Sequence, residues 1–301
     1  MATAKTEQKL GYEMQVSAND GNLAQLQTQL AHWEAGITGN NHTQTDYLCS
    51  RITVAEEKEV CQALGRKYHP AEPIDLIYIM LNRLMIQASR KNQVNVIRYL
   101  LEDRKWLVSR IAIQRAMETE SFDVLELFQK HGWGINEPIK QNHCTILRQV
   151  VNHERSVRWC LAHGADPNAQ GYKGHIDVLS FAAEHGSMQT LRLLAAHGGN
   201  FCRSNALHRA AQGGRIDVLE WLLDEVGFPV SQREYEYHND YQWTETALYY
   251  AVKGNALDCV RLLLQRGADV SVRDEKGRTV RDVGLQQGHE DVVSMLDGGV
   301  I

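Results

Sequence analysis

RSNALHRAAQGGRIDVLEWLLDEVG (203–227) and TETALYYAVKGNALDCVRLLLQRGADVSVRD (244–274) carry one pattern twice within a chain of 301 residues. Ala210 of the first stretch aligns with Ala251 of the second. Each stretch predicts a short apolar helix, a polar or glycine break, and a second helix with apolar residues at three- and four-residue spacing. A helical pair of this size cannot bury its apolar face alone, so each pair needs stacked neighbours.

These residues resemble the ankyrin repeat, a unit of about 33 residues. The segment ALHRAAQGGRIDVLEWLL matches the helical pair, and 266–270 (RGADV) matches the loop that follows a pair. The resemblance implies an all-α fold, an ankyrin-repeat solenoid of stacked helix-turn-helix units. It also implies a curved stack in which the loops between successive helical pairs, called fingers, are short or trimmed, except for one extended finger. A resemblance of fold says little about function.

A register mark, the position of the family's threonine, recurs along the chain. It falls at Arg83, Ile111, Thr145, Asp177, Asn205, Thr246 and Thr279. The interval before Thr246 is 41 residues, which locates an insertion in the preceding finger. In five of the repeats an alanine lies five residues after the register mark. These alanines are Ala88, Ala116, Ala182, Ala210 and Ala251. We expect them to let neighbouring first helices approach closely.

We predict an N-terminal extension at 1–11 and a single ankyrin-repeat array at 12–301. Within the array, the predicted parts are an opening repeat at 12–33, an irregular insertion or degenerate repeat at 34–72, central repeats at 73–273 and a closing repeat at 274–301. The insertion is expected to begin with a loop from Ala35. A helix is then predicted from Thr53 to Lys67, capped by Thr53 with Glu56 three residues on.

Composition limits the classes of function. A net charge of −5 argues against a general nucleic-acid binder, which needs a basic surface. The N-terminus lacks the apolar segment of a secretory signal, and the longest fully apolar run is six residues, too short for a membrane span. Six cysteines without a C-x-x-C pair favour a reduced setting. We therefore predict a cytoplasmic or nuclear protein, with no nucleic acid and no membrane as partner.

In the ankyrin family, partner contacts cluster on the finger tips and on the two variable residues that end each first helix. The candidate contact residues that this implies here are Arg90, Lys91, Glu118, His153, Glu184, His185 and Lys253. A solvated face without a partner is the alternative interpretation of these polar positions.

The lengthened finger at 231–245 is rich in aromatic residues. Tyrosine and tryptophan often anchor interfaces because they bury a large area and keep a polar atom. The candidate anchors are Tyr235, Tyr237, His238, Tyr241 and Trp243, with Tyr250 on the following helix. Three interpretations stay open: a hairpin that covers its own repeat, a site for a protein partner, or a small-molecule pocket against the inner helices.

The sequence contains no G-x-S-x-G elbow, no P-loop and no G-x-G-x-x-G after a strand. His131, His163 and His197 each precede a glycine and are expected to cap second helices. His153 and His185 share one register position and could converge on a metal with Glu154 or Glu184, but no metal-binding framework surrounds them. We predict no catalytic residue, no metal and no cofactor.

We therefore predict a non-catalytic protein-interaction module. Its macromolecular partner, a protein, would bind on the concave face and on the aromatic finger at 231–245. The alternative is an enzyme or a small-ligand receptor with a pocket between that finger and the inner helices.

Overall fold

The structure is a computed structural model that describes residues 2–39, 53–64, 67–69, 75–139, 144–169, 176–233 and 245–298. The chain divides into two compact units, unit 1 (Met1–Gly134) and unit 2 (Ile135–Ile301). Over the described ranges, seventeen α-helices form and no strand longer than an isolated bridge is present. The predicted all-α fold is confirmed. The single array at 12–301 stays a prediction.

Unit 1 contains α1 (Ala2–Asp20), α2 (Leu23–Gly39), α3 (Val54–Ala63), α4 (Leu76–Ser89), α5 (Val94–Arg98), α6 (Arg110–Glu118) and α7 (Phe122–Lys130). Unit 2 contains α8 (Ile146–Gln149), α9 (Glu154–Ala162), α10 (Val178–His185), α11 (Met188–Ala196), α12 (Ala206–Gln212), α13 (Ile216–Trp221), α14 (Ala247–Lys253), α15 (Leu257–Gln265), α16 (Val280–Gln287) and α17 (Glu290–Leu296). With α3 set aside, the helices form eight pairs. The earlier member of each pair is its first helix and the later member its second helix.

A residue with left-handed backbone closes the turn inside six of the eight pairs. In five pairs this residue lies nine positions after the register mark: Asn92, Glu120, Gly214, Asn255 and Gly288, with φ between 52° and 74°. The sixth is Gly21 in the opening pair. The backbone therefore repeats in the register that the sequence predicts. Left-handed glycines also follow the histidines that cap α7, α9 and α11, as predicted.

Two second helices end in a π-helical turn. The segment Tyr99–Asp103 continues α5, and Leu222–Val226 continues α13. Asn92 and the left-handed Lys105 are 13 residues apart, whereas the corresponding residues Glu120 and Gly132 of the next pair are 12 apart. A π turn holds one more residue than an α turn, so it absorbs the extra residue without displacing the cap.

The small residues predicted at the contacts between first helices are all fully buried. Ala88, Ala116, Ala182, Ala210 and Ala251 each have 0 % exposure. Their neighbours across the contact are first helices of adjacent pairs: α4 packs on α6, α10 on α12, and α12 on α14. Second helices bury larger side chains, including Phe128 and Leu222.

The insertion contributes α3, which packs against the first helices α4 and α6. Its predicted capping box is confirmed: the Glu56 amide donates to Thr53 Oγ1, and the Thr53 amide donates to the Glu56 carboxylate. The helix ends at Ala63, four residues before the predicted end. The predicted loop from Ala35 is wrong, because α2 continues through Gly39. The buried Leu26, Leu30 and Trp33 carry the helical apolar face up to that point.

Two carboxylates of α3 accept hydrogen bonds from the residues at the two register positions of unit 1, Arg83 and Ile111, where the family has threonine. The buried Arg83 forms a two-point ion pair with Glu56, at 2.7 Å from Nε to Oε1 and 3.1 Å from Nη2 to Oε2. Glu59 accepts hydrogen bonds of 3.2 Å from Ser109 Oγ and from the Ile111 amide at the start of α6. The insertion therefore satisfies polar groups that the first helices leave open.

We predict that Glu56→Gln destabilises unit 1. Burial raises the pKa of Glu56, but hydrogen bonds from Arg83 and Thr53 outweigh it, so the pKa lies below its ordinary 4.5. The substitution removes the carboxylate charge from this two-point pair with the buried guanidinium of Arg83, at an expected cost of about 2 to 3 kcal/mol. Since the pKa is lowered, this difference from the wild type is present above pH about 4.5 and fades as the pH falls below it.

Urea unfolding of the two proteins at pH 7 and pH 3 measures this effect. Glu118→Gln is the matched control, because Glu118 forms an exposed pair with Arg115 and should matter by less than about 1 kcal/mol. Equal stability of Glu56→Gln and wild type at pH 7 would contradict the role of α3.

We also predict that deletion of Asp103 is tolerated. Removing one residue turns the π turn into an ordinary α turn and keeps the helix cap, so the loss should stay below about 1 kcal/mol. Deletion of Lys130 from the α-helical α7 moves its cap out of place and should cost about 2 kcal/mol or more. Thermal unfolding compares the two deletions. Equal losses would show that the π turn does not absorb an extra residue.

Candidate functional site

In unit 1, the predicted contact residues lie at the ends of first helices and face solvent. Arg90 and Lys91 are exposed where α4 ends, and Glu118 is exposed at the end of α6. The Glu118 carboxylate pairs with Arg115 on its own helix at 2.6 Å. These three residues are accessible to a partner.

The prediction that His153 and His185 share one register position is wrong. The first helix α8 ends at Gln149, so His153 precedes the second helix α9 as its N-cap. His185 is the last residue of the first helix α10, where its ring meets Phe181 edge-on at 4.5 Å between centroids. The left-handed Gly164 lies 19 residues after the mark Thr145, whereas Gly198 lies 21 after Asp177, so pair α8/α9 is two residues shorter and α8 ends early. In the described ranges, no three His, Cys, Asp or Glu side chains gather closely enough to hold a metal ion.

The lengthened finger begins and ends at an antiparallel bridge between Arg233 and Thr246. Tyr235, Tyr237, His238, Tyr241 and Trp243 lie outside the described residues. Tyr250, on the helix that follows, is nearly buried at 7 % exposure, and Lys253 at the end of the same helix is exposed.

The structure brings together a set of residues that sequence reasoning only partly found. Phe181, Arg209 and Tyr250 each precede the buried alanine of their first helix. Arg148 on α8 reaches toward Phe181, and Lys253 ends the helix of Tyr250. We call these five residues, Arg148, Phe181, Arg209, Tyr250 and Lys253, the first-helix row. They lie on four successive first helices of unit 2: α8, α10, α12 and α14.

Cations lie over both aromatic rings of the first-helix row. The Arg148 guanidinium carbon is 4.6 Å from the centroid of the Phe181 ring. Tyr250 has two cations near its ring, the Arg209 guanidinium carbon at 6.0 Å and Lys253 Nζ at 5.8 Å. Each distance lies within the range at which a ring attracts a cation. The rings therefore restrain three positive charges along one line of helices.

No carboxylate in the described part of the chain lies within 4 Å of the charged nitrogens of Arg148, Arg209 or Lys253. Glu184 lies 3.8 Å from His185, a pair that is ionic only when the imidazole is protonated. The buried Asp274 pairs with Arg278 at 2.6 Å. Among the described residues, the three cations of the first-helix row thus have no carboxylate as an ion-pair partner.

Polar groups of the segment that precedes α16 contact Tyr249, and the Tyr249 ring contacts Tyr250. Arg278 binds Asp274 and also donates to Tyr249 Oη at 3.4 Å. Burial raises the pKa of Asp274, but hydrogen bonds from Arg278 outweigh it and hold the pKa below its ordinary value. Burial raises the pKa of Tyr249, and the negative charge of Asp274 adds to the shift. The ring of Tyr249 in turn meets that of Tyr250 at 5.8 Å.

His208 packs edge-on against Tyr250 from the neighbouring first helix, with ring centroids 5.6 Å apart. Its Nε2 lies 3.1 Å from the carbonyl oxygen of Gln232, to which a neutral imidazole donates. Burial lowers the pKa of His208 to about 4, a shift that the nearby Arg209 reinforces and the hydrogen bond opposes. His208 is therefore neutral at physiological pH and serves as a support for the Tyr250 ring.

The described surface also contains two open cavities away from the first-helix row. One of about 350 Å³ lies among residues of 168–204 in unit 2, and one of about 440 Å³ lies among residues of 23–103 in unit 1. Neither is lined by a residue of 231–245. None of the described helices is long and apolar enough to cross a membrane.

Arg148, Phe181 and Arg209 were missed by sequence reasoning, which selected the two residues that end each first helix. A usable signal was present. The residue just before each buried alanine occupies one equivalent position in every first helix, and that position holds Phe181, Arg209 and Tyr250. Arg148 does not occupy that position, so the residue pattern did not predict its contact with the Phe181 ring of the next pair.

Comparison with known proteins gives one family. Models of ankyrin repeats match residues 152–234, as three copies, and 233–283, as many copies. An ankyrin repeat protein of Fowlpox virus is 23 % identical over 250 residues, 73 % of this chain and 35 % of that protein. Ankyrin repeat protein nuc-2 of Neurospora crassa is 26 % identical over 160 residues, 52 % of this chain and 14 % of that protein.

Cortactin-binding protein 2 of Rattus norvegicus is 29 % identical over 148 residues, which cover 48 % of this chain and 8 % of that protein. The matched part of the chain therefore spans about a third or less of the length of these relatives.

We predict that His208 makes unit 2 less stable in mild acid. The unfolded chain takes up a proton near pH 6.5, whereas the folded imidazole does so only near pH 4. Its contribution is complete above pH about 6.5 and is lost as the pH falls toward 4, by about 2 kcal/mol between pH 7.5 and 5. Urea unfolding across this range measures the loss. His208→Gln should remove this part of the pH dependence, and His197→Gln, at an exposed helix end, should retain it. A His208→Gln profile parallel to the wild type would contradict the assignment.

Proposed function

The chain belongs to the ankyrin-repeat proteins, whose repeats are in general protein-interaction modules, and we propose that it binds a protein partner across the first helices of unit 2. The first-helix row is the centre of this surface. The finger at 231–245, which begins and ends beside α14, contributes a second part of it. No catalytic step is assigned to the chain.

The observation that carries this proposal is the set of aromatic rings and uncompensated cations in the first-helix row. Tyrosine and arginine are enriched among the residues that dominate binding energies at interfaces. Phe181 is half-buried and Tyr250 has only a narrow exposed edge, so both rings are fixed in place before a partner arrives. Fixed anchors lose little conformational freedom on binding, which favours affinity.

The remaining candidate residues surround this centre or lie in unit 1. Glu184 and His185 lie beside Phe181, and His153 lies at the start of α9. Arg90, Lys91 and Glu118 form a separate set of accessible contacts in unit 1. For the finger, the sequence alone supports Tyr235, Tyr237, His238, Tyr241 and Trp243 as anchors.

We place this binding inside the cell, in the cytoplasm or the nucleus. Cys61, Cys144, Cys160 and Cys259 are buried free thiols and Cys202 is an exposed one. Burial raises the pKa of Cys160 to about 12 and that of Cys259 to about 11, so both thiols stay protonated. Unpaired thiols of this kind suit a reducing compartment.

Site-specific photo-crosslinking tests the location of the surface. A p-benzoylphenylalanine residue replaces the exposed His185 at the end of α10, and in a matched control it replaces the exposed Glu220 on the second helix α13. In extracts of the native cell, the residue at position 185 should capture a defined protein and the residue at position 220 should not. Equal capture at both positions, or capture at position 220 alone, would refute the proposed surface.

The same captured partner tests the finger. Combined Tyr237→Ala and Trp243→Ala substitutions should weaken its binding at least about tenfold, as the loss of interface anchors does. Binding is measured by titration of the purified partner, with unchanged thermal unfolding as the control for folding. An unaltered affinity would remove the finger from the proposed surface.

A further inference from the structure

We propose that the first-helix row binds an extended acidic segment of the partner protein, with carboxylates over Arg148, Arg209 and Lys253. This inference rests on the proposed function and specifies the chemistry of the partner. The chain as a whole carries a net charge of −5. A positive row on an acidic protein is therefore a local feature that net charge does not predict.

The three cations have no carboxylate partner in the described part of the chain. Arg192, Arg261 and Arg266, on the second helices and the turn that follows them, each pair with an Asp or Glu at 3.1 Å or less. Arg148, Arg209 and Lys253 instead meet aromatic rings. Unit 2 thus neutralises these basic residues beside its second helices and leaves three on its first helices available.

Two side-chain donors on α8, one of them in the first-helix row, also lack acceptors. Among the described residues, no acceptor meets Arg148 Nε or Gln149 Nε2, and both atoms are shielded from solvent. Arg209 donates from Nη1 to Gln212 Oε1 at 3.0 Å, which leaves other guanidinium donors for a ligand. A carboxylate is the acceptor that a guanidinium binds most strongly in proteins, often with two parallel hydrogen bonds.

The acids near the row do not cancel its charge. Glu184 lies on α10, 3.8 Å from the ring of His185, which pairs with it ionically when protonated. Asp274 accepts from Arg278 and from two backbone amides. Glu245 is half-buried at the finger base and contributes to the raised pKa of Tyr249, after burial and Asp274. A carboxylate placed over Tyr250 therefore lies near the two cations of its ring, Arg209 and Lys253.

The spacing of the first helices defines the segment. Neighbouring packed helices lie about 8 to 10 Å apart. Arg148 and Arg209 are two helix steps apart, and Arg209 and Lys253 are one step apart. An extended chain rises about 3.3 Å per residue. The segment should therefore carry three acidic residues. The second should follow the first by about six residues, and the third should follow the second by about three.

A fluorescein-labelled peptide of twelve residues tests this directly. It carries glutamates at positions 1, 7 and 10 among serines and glycines, and fluorescence polarisation measures its binding to the full chain. The wild type should bind it, and raised salt should weaken the binding. A peptide with glutamine at the three positions should bind at least about tenfold more weakly.

Substitutions in the protein locate the charges. Arg148→Ala, Arg209→Ala and Lys253→Ala should each weaken peptide binding at least about fivefold. Arg261→Ala is the matched control, since Arg261 lies on a second helix and pairs with Asp258, and it should change binding less than about twofold. A combined Arg209→Glu and Lys253→Glu variant should lose the glutamate peptide and gain a peptide with lysine at the same positions. This exchange of preference cannot arise from misfolding.

Three results would overturn the inference. They are equal binding of the glutamine peptide, an equal effect of Arg261→Ala, and tighter binding of a twelve-nucleotide oligo-dT, which would indicate a nucleic-acid site. These outcomes separate the inference from the proposed function. If position 185 captures a partner but the glutamate peptide fails to bind, the surface stands and its acidic specificity falls. If the peptide binds but position 185 captures nothing, the row binds acidic peptides, and the proposed binding of a cellular protein across this surface falls.

Discussion

The close contact between neighbouring first helices is the constraint on which the structure depends. At each described contact of this kind at least one of the two helices presents a fully buried alanine, so that two backbones can approach. The approach also fixes where the next side chain lies. Because Phe181, Arg209 and Tyr250 each precede such an alanine, they lie at one level of successive helices. The contact between Arg209 and the Tyr250 ring follows from this spacing.

Departures from the repeat pattern are compensated locally. Unit 1 has Arg83 and Ile111 at the register positions where the family has threonine. Both donate hydrogen bonds to carboxylates of α3: the Arg83 side chain to Glu56, and the Ile111 amide to Glu59. The irregular insertion is thus tied to the two pairs of unit 1 that lack the family's threonine, although Asp75 and Ser109 cap their first helices. One-residue insertions in α5 and α13 are absorbed by π turns, which leave the contacts between pairs in place.

The sequence was sufficient for features that depend on local periodicity. The buried alanines and the Thr53 capping box follow from the residue pattern, with the register marks taken from the resemblance to the ankyrin repeat, and the structure confirms both features. Features that depend on a neighbour in space were not predictable. The residue pattern located neither the end of α2 at Gly39 nor the end of α8 at Gln149, so the predicted loop from Ala35 and the shared register of His153 were wrong. Arg148 lies 33 residues before Phe181, and no pattern within one repeat links them.

The most direct measurement of the central constraint is the stability of Ala210→Leu. Ala210 is fully buried between first helices, whereas Ala196 at the end of α11 is exposed. If close approach of the first helices governs the fold, the larger side chain at 210 should cost about 1 to 3 kcal/mol in urea unfolding. Ala196→Leu should change little. Wild-type stability of Ala210→Leu would contradict the account.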